Sequence, residues 1–445
     1  MEPRQPAAVD PREIIARKPM RLRQILAIAI CVLLNGLDGF DVLSISFASP
    51  GIAADWGISR SALGLVLSME LIGMGGGSII LGPLADRAGR KPTAMLCLLV
   101  MALGMFGAAH AGSVEELAAL RFATGIGIGG MLACTNAMVA EYANDKWRGA
   151  AVAIMAAGYP AGAIAGGAFA SVLLVDGSWR DVFVFGAAAS ALMLPLLYFL
   201  VPESVGFLAQ RDRPDRAVRI NRALAGLGHP PVEAFAPPVE AVPGKAALHR
   251  LFEPDLRRTT LLLTLAYFAH VMTFYFILKW VPKIVVDMGF EPSSAGGVLV
   301  FANVGGLLGS LVLSVLTLRL RLHHLMPVIL AFSAIMVTVF GRTHHGLTEL
   351  SAAAASAGFF TNAGMVGFYA LAASSFPTEA RAGGTGFVIG LGRGGAALGP
   401  VIAGMLFDAG LGLQGVAVVM ALGSAVAACA IIAMPGFRPL RTAGN

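Results

Sequence analysis

The feature that most constrains this chain is a series of twelve apolar runs, each long enough to cross a bilayer as an α-helix. The runs cover residues 22–46, 61–83, 92–111, 115–140, 149–174, 180–201, 259–282, 294–318, 325–341, 348–375, 383–406 and 412–434. Only 13% of the 445 residues are charged, against about 25% in soluble domains. Because helices satisfy their own backbone hydrogen bonds in lipid, we predict an all-α polytopic membrane protein with twelve transmembrane helices.

A long polar stretch separates the first six runs from the last six. We predict an N-terminal tail (1–21), an N-terminal six-helix bundle (22–201), a linker (202–258), a C-terminal six-helix bundle (259–434) and a C-terminal tail (435–445). Two six-helix groups joined by a polar connector are typical of the two pseudo-symmetric halves of a transporter.

The distribution of Lys and Arg predicts how the chain is oriented. Of the 32 such residues, three lie deep inside the spans, and four lie in or at the edge of the connections on one side: Arg60, Arg180, Lys283 and Arg342. The other 25, with Arg23 counted in the N-terminal tail, lie in the tails, the linker and the connections on the other side. Because positively charged loops stay in the cytoplasm, we predict a cytoplasmic (inner) membrane protein with both termini in the cytoplasm.

Other features narrow the classes of partner. The linker contains five closely spaced arginines, namely Arg211, Arg213, Arg216, Arg219 and Arg222. Such a cluster can bind nucleic acid or anionic lipid, and its place beside the membrane favours membrane lipid and no nucleic acid. All four cysteines lie in apolar runs, which predicts buried side chains rather than disulfides. The sequence has neither metal-ligand spacing nor a phosphate-binding loop, so we expect no metal, no cofactor and no enzyme.

The connection between the second and third spans carries a dense charged motif. It reads Gly82-Pro-Leu-Ala-Asp86-Arg87-Ala-Gly89-Arg90-Lys91. Gly82 permits a close helix approach, Gly89 a tight turn, and Asp86 can pair with an arginine or a helix N-terminus of the facing half. The motif resembles the signature of the major facilitator superfamily, which implies a gating contact that breaks during transport. We expect Glu141 and Arg148 to join this charge network.

The fourth span begins with a second motif, in which Arg121 is followed by glycines at positions 125, 127 and 129. It resembles the R-x-x-x-G-x-G-x-G pattern of the same superfamily. An arginine inside an apolar span is costly unless it faces a polar cavity or an acid. Two roles are open for Arg121, as electrostatic partner of acids in the first span or as a direct substrate contact, and we favour the first.

The first span contains two acids within the segment Asp38-Gly-Phe-Asp41. Three residues apart on a helix, they share one face, and keeping both ionised in the membrane is expensive. The segment resembles the D-G-x-D signature of the aromatic acid:proton symporter family, which implies proton coupling. We expect Asp38 and Asp41 to carry the coupled proton with Arg121 as partner, and Glu70 to be a second proton site or a residue bonded within its own half.

The second half offers candidates for binding a substrate. Arg393, about ten residues into its span, is the best candidate for a cation in the central cavity, although a structural network is the alternative. Lys279 can bind substrate or extend to the membrane interface, and we favour the interface. His270 can donate to a ligand or be a core histidine. Aromatic candidates for the cavity wall, which can equally be core residues, are Tyr267, Phe274 and Tyr369.

The resemblance implies a proton-coupled importer that carries an aromatic carboxylate of the benzoate or hydroxybenzoate class by alternating access. Such a substrate needs a cation for its carboxylate and apolar walls for its ring. The alternatives are a symporter of another organic anion such as a dicarboxylate, and an exporter or antiporter of the same superfamily. We expect the protein to act as a monomer.

Overall fold

The computed structural model describes residues 9–237, 247–343, 346–377 and 380–434, and within them every regular element is a helix. An isolated bridge joins Val9 to Phe235. The helices are α1 (Pro11–Arg17), α2 (Leu22–Trp56), α3 (Arg60–Ala88), α4 (Arg90–His110), α5 (Val114–Tyr142), α6 (Arg148–Asp176), α7 (Trp179–Leu200), α8 (Val205–Ala209), α9 (Arg216–Gly226), α10 (Ala247–Arg250), α11 (Arg257–Asp287), α12 (Pro292–Leu316), α13 (Leu322–Arg342), α14 (Leu347–Ser375), α15 (Arg381–Asp408) and α16 (Leu413–Ile432).

Each predicted span corresponds to one long helix, so the chain has the all-α, twelve-helix fold that the sequence predicts. Eleven helices of the described chain are apolar and long enough to cross a membrane. The remaining predicted span is α14, whose 29 residues are rich in Ala, Gly and Ser. At 1.5 Å per residue α14 is about 43 Å long, which is enough to cross a bilayer. Its small side chains let it pack closely against α12, its main neighbour.

Several helices extend beyond the predicted spans. The first continues through Pro50 to Trp56, and the predicted connection 84–91 is reduced to one residue, Gly89, between α3 and α4. The motif residues around Asp86 are therefore helical. One cysteine prediction is wrong, since the Cys429 side chain is exposed on α16, where a polarisable apolar side chain can face lipid.

Glycine contacts hold α5 against its neighbours and explain the spacing of its motif. A Cβ on Gly125 would lie 2.1 Å from Glu70 O and a Cβ on Gly129 would lie 2.1 Å from Met74 O, both on α3. Gly127 faces α4 instead, where a Cβ would lie 2.8 Å from Cys97 O. Alternate glycines thus allow two different helices to approach the α5 backbone, as small residues do in membrane proteins.

The N-terminal tail and the linker pack together at one end of the bundle. Val9 exchanges backbone hydrogen bonds with Ala234 and Ala236. The side chain of the buried Gln24 accepts a hydrogen bond from His229 Nε2 at 3.0 Å and donates one to Tyr142 O at 2.7 Å. We call this end the linker face. The opposite end, the far face, contains Trp56, Arg60 and the ends of α11 and α15.

The two halves, α2–α7 and α11–α16, meet mainly where α3 packs on α15, α6 on α12 and α2 on α11, with a smaller contact between α2 and α12. At the far face the Asp408 carboxylate of α15 accepts hydrogen bonds from the backbone N–H groups of Arg60 (3.1 Å) and Ser61 (2.9 Å), the first turn of α3. The Arg60 side chain is ion-paired with Asp287 at 2.9 Å. One half therefore caps a helix N-terminus of the other, and the halves are closed at the far face.

We expect Gly129→Ala to destabilise the N-terminal half. Its Cβ would overlap Met74 O, so α5 must move away from α3, and such overpacking costs about 1–3 kcal/mol. The measurement is the thermal unfolding of the purified protein in detergent. Gly76→Ala is the matched control, because a Cβ at Gly76 would meet nothing within 4 Å. Equal melting temperatures for the two variants would contradict the proposed packing role.

Candidate functional site

Five charged side chains are fully or almost fully buried in the part of the chain that the structure describes. They form a buried charge cluster at mid-depth, and its members are Asp38 and Asp41 on α2, Glu70 on α3, Arg121 on α5 and Lys279 on α11. Four of them were predicted to take part in proton coupling, with Arg121 as the partner of the acids, and the fifth, Lys279, was predicted to bind substrate or reach the interface. Buried charges are costly unless paired, so this cluster is the candidate functional site.

The Glu70 carboxylate lies between the two cations. Its Oε1 is 2.5 Å from an Arg121 guanidinium nitrogen, and its Oε2 is 3.4 Å from Lys279 Nζ. The Gly125 contact described above brings α5 close enough to α3 for the first pair to form. Arg121 was expected to be the electrostatic partner of the acids of the first span, and its side-chain ion pair is instead with Glu70.

Asp38 and Asp41 have no such partner. Neither carboxylate oxygen of either residue has a hydrogen-bond partner among the described residues. Arg121 reaches α2 only through its backbone, by donating to Asp41 O at 2.9 Å. A carboxylate buried without a donor is strongly disfavoured when ionised. These two acids are therefore the groups that gain most from binding a proton while the site is closed to water.

Lys279 does not extend to the membrane interface. Its side chain is fully buried, and Nζ donates to Val42 O as well as pairing with Glu70. Lys279 belongs to the C-terminal half, whereas both its partners belong to the N-terminal half. The ammonium group therefore joins the two halves in the interior of the protein. As a substrate ligand it has no free charge in this state.

Arg393 also crosses between the halves, about one helical turn along α3 from Glu70. One guanidinium nitrogen donates to Met74 O at 3.1 Å and to Ser78 Oγ at 2.6 Å. The side chain is half-buried, and no ion pair involves it within the described ranges. Unused donors and an unmatched charge leave Arg393 able to bind a carboxylate.

Two predicted tyrosines lie close to Arg393. A Cβ on Gly392 would lie 1.9 Å from the Tyr267 ring, which places that ring against the α15 backbone. The hydroxyls of Tyr267 and Tyr369 are 3.5 Å apart, and Tyr369 is 45% exposed. The structure therefore brings Arg393, Tyr267 and Tyr369 together from three helices of the C-terminal half.

The other two ligand candidates of this half are core residues. One ring nitrogen of His270 bonds Ser424 Oγ and the other bonds Thr361 O, both at 2.9 Å. With both nitrogens engaged, His270 has no donor left for a ligand. Phe274 is buried, and its ring packs edge-on against Tyr275 with centroids 5.2 Å apart.

The charged motif at the linker face forms a network within its own half. Asp86 pairs with Arg90 at 3.0 Å, and Arg90 is also 3.5 Å from Glu141. The Asp86 side chain is 72% exposed, and the linker residue Arg211 donates to the backbone carbonyls of Asp86 and Arg87. Arg148 lies outside this network because it pairs with Asp145.

A capping contact fixes the turn between α3 and α4. Gly89 has φ +120°, and the Glu203 carboxylate accepts hydrogen bonds from the backbone N–H groups of Arg90 (3.0 Å) and Lys91 (3.3 Å). Burial raises the pKa of the Glu203 carboxyl above its ordinary value, and the backbone N–H donors partly offset this effect. Gly82 makes no close approach here, since a Cβ would meet nothing within 4 Å.

Sequence reasoning missed the Glu70–Lys279 pair, although a signal was present. Glu70 lies ten residues after Arg60 and Lys279 lies eight residues before Asp287, so both have a similar depth from the far face. Opposite charges at equal depth in apolar spans are expected to pair. The capping of α3 by Asp408 had no comparable signal.

Comparison with known proteins agrees with this architecture. The model of the Major Facilitator Superfamily matches residues 28–346 and, in a second overlapping segment, residues 263–443. The chain belongs to the Major Facilitator Superfamily. A solved D-xylose-proton symporter has the same fold as this facilitator, with a TM-score of 0.73 and 17% identity over 93% of this chain and 98% of the symporter.

Sequence relatives of this facilitator extend over nearly its whole length. The gallate transporter of Pseudomonas putida is 32% identical over 97% of this chain and 96% of its own. The 4-hydroxybenzoate transporter PcaK of Pseudomonas aeruginosa is 29% identical, with 95% of each chain covered.

Proposed function

We propose that this facilitator is a proton-coupled secondary-active importer of an aromatic carboxylate of the benzoate or hydroxybenzoate class, working by alternating access. The observation that carries the proposal is the pair of unpartnered acids, Asp38 and Asp41, buried beside the Glu70 ion pairs. The names of the relatives supply the substrate class, since gallate and 4-hydroxybenzoate are both aromatic carboxylates.

Proton coupling follows from the cost of ionising the two acids in a dry site. In the closed state neither carboxylate has a hydrogen-bond donor, so a bound proton removes a charge that would otherwise oppose closure. When the site opens to water the same proton can exchange. In this proposal the acids load from the periplasmic side and empty into the cytoplasm, with Asp41, the one nearer the far face, as the exchanging site.

Substrate binding is assigned to the C-terminal half. A planar guanidinium binds a carboxylate through two parallel hydrogen bonds, and Arg393 has unused donors for this purpose. Tyr267 and Tyr369 would line the space for the aromatic ring, which is a mostly apolar group that needs an apolar wall. No observation favours a role for His270 or Phe274 in binding.

The distribution of basic residues assigns the two faces of the protein to the two sides of the membrane. The linker face contains basic residues of the linker and of the described part of the N-terminal tail. In this proposal it is the cytoplasmic face of the inner membrane, and both termini lie on that side. The linker arginines would lie beside anionic lipid headgroups. The contacts of Asp408 and Arg60 close the far face, which in this proposal is the periplasmic side. A single chain contains both halves, and we propose that it acts as a monomer.

The test is uptake by purified protein in proteoliposomes under an imposed pH gradient. We expect accumulation of at least one of benzoate, 4-hydroxybenzoate and gallate, abolished by a proton ionophore. Accumulation of succinate but none of these acids would replace the aromatic class by a dicarboxylate. Accumulation only when the protons move opposite to the substrate would replace the importer by an antiporter.

We expect Arg393→Ala to abolish binding of the accumulated acid and Arg393→Lys to weaken it. Lysine keeps the charge but loses the planar fork that matches a carboxylate. The measurement is equilibrium binding by scintillation proximity or calorimetry. Arg381→Ala, at the exposed start of the same helix, is the control and should bind normally. Normal binding by Arg393→Ala would show that this arginine only joins α15 to α3.

We expect Asp86→Asn to lower the transport rate strongly while equilibrium binding stays within about threefold, because Asp86 lies in a network remote from the cluster. Uptake rate and binding are measured on the same preparation. Asp212→Asn, an exposed linker acid, should change neither. A large loss of affinity with an intact exchange rate would instead make the motif part of substrate recognition.

We expect Asp41→Asn to lose gradient-driven accumulation and the pH dependence of uptake. The amide imitates a permanently protonated acid, so the carrier can close without exchanging a proton, and substrate exchange across the membrane can persist. Uptake with and without a pH gradient measures the first property, and counterflow measures the second. Asp176→Asn, exposed at the end of α6, is the control. If Asp41→Asn and Asp38→Asn both accumulate substrate as the parent does, coupling resides elsewhere.

A further inference from the structure

We propose that Lys279 sets the number of protons carried in each transport cycle at one. This inference rests on the proposed function and concerns the same buried charge cluster. In this inference Lys279 neither binds substrate nor anchors the helix at the interface. Its positive charge determines how many protons the closed cluster binds.

The composition gives the charge balance. The cluster contains three acids, Asp38, Asp41 and Glu70, and two bases, Arg121 and Lys279, all of them shielded from solvent. With every group ionised the cluster has one excess negative charge. A single proton on one carboxylate makes the closed site neutral. Because an uncompensated charge in a dry interior is strongly disfavoured, the closed state favours one bound proton over none or two.

The surrounding side chains do not alter this balance. The titratable neighbours of the acids are the thiols of Cys97 and Cys134, from α4 and α5, and the phenols of Tyr159 and Tyr275, from α6 and α11. Thiols and phenols are uncharged near neutral pH. Arg393 lies one turn further along α3, is half-buried, and in the proposed function is matched by the carboxylate of the substrate.

Lys279 differs from the other members because it comes from the C-terminal half. Asp38, Asp41, Glu70 and Arg121 all belong to the N-terminal half, and Lys279 enters the cluster on α11. When the halves separate at the far face, Lys279 moves away with α11, and the three acids keep only Arg121. Water can then supply a proton to one carboxylate oxygen. Closure returns the ammonium group and is favourable when a single proton is bound.

The proton is later lost to the cytoplasm from the same carboxylate, so no other bond forms or breaks. One proton and one monovalent anion then move together, and the cycle carries no net charge. The positive charge of Lys279 is what makes the cycle electroneutral. Without it, the closed cluster would contain three acids and one base, and neutrality would require two protons.

The experiment measures the coupling ratio in proteoliposomes with the membrane potential held at zero by potassium and valinomycin. The substrate is whichever of benzoate, 4-hydroxybenzoate or gallate the parent accumulates. At zero net flux, one coupled proton sustains an about tenfold substrate gradient per pH unit, and two sustain an about hundredfold gradient. The ratio is independent of the amount of active protein, so a merely structural defect does not change it.

Five variants test this charge balance. We expect about tenfold per pH unit for the parent and Lys279→Arg, and about hundredfold for Lys279→Met. Glu70→Gln leaves two acids and two bases and should lose accumulation driven by pH. The double variant Glu70→Gln/Lys279→Met restores one excess acid and should return to about tenfold. Lys283→Met, one turn along α11 and paired with Asp287, is the matched control and should behave as the parent.

A substrate gradient of only about tenfold per pH unit for Lys279→Met would overturn the inference. A gradient per pH unit in the double variant that differs from that of the parent would also overturn it. If Lys279→Met does not fold, the parent alone decides, because a steady substrate-induced current on a solid-supported membrane would show net charge movement and reject single-proton coupling. Should the parent accumulate none of the three acids, the proposed function is wrong and this inference falls with it. Accumulation with an unchanged ratio rejects only the inference.

Discussion

The carboxylate of Glu70 is shared by two cations that belong to different halves of the protein, and the rest of the structure is arranged around this contact. Arg121 holds it from within the N-terminal half at 2.5 Å, and Lys279 reaches it from the C-terminal half at 3.4 Å. Both pairs are shielded from water. Separating a buried ion pair is costly, because it leaves an uncompensated charge in the protein interior. The contact therefore joins the halves in the closed state and makes the charge of the interior sensitive to their separation.

Helix α3 contains Glu70 and makes further contacts with the C-terminal half along its length. At the far face its first turn is capped by Asp408, at mid-depth it presents Glu70, and one turn beyond it accepts hydrogen bonds from Arg393 at Met74 and Ser78. At the linker face it ends in the exposed Asp86. A rigid helix with cross-half contacts at three depths can transmit a change at one of them to the others. Its glycine packing against α5 fixes it within the N-terminal half.

Proton and substrate are assigned to different halves, and this separation accounts for how coupling can arise without direct contact. The unpartnered acids lie on α2, whereas Arg393 and the two tyrosines lie on α11, α14 and α15. The cations Lys279 and Arg393 both cross from the C-terminal half to α3. Loading either site changes the electrostatic cost of bringing the halves together, which is the quantity that a symporter must control.

The sequence by itself determined the fold class, because apolar runs of this length have few stable alternatives to transmembrane helices, and the motifs around Asp86 and Asp38 indicated the superfamily. It also singled out the five ionisable residues that enter the buried charge cluster, since such residues are rare in apolar spans, but it did not predict that Lys279 is buried among them. Only the tertiary structure decided their partners. Arg121 was expected to pair with Asp38 or Asp41, and Lys279 was favoured to reach the interface, yet both pair with Glu70. Pairing depends on which helix faces meet across the two halves, and one-dimensional spacing gives a residue's depth in the membrane but not the direction in which its side chain points.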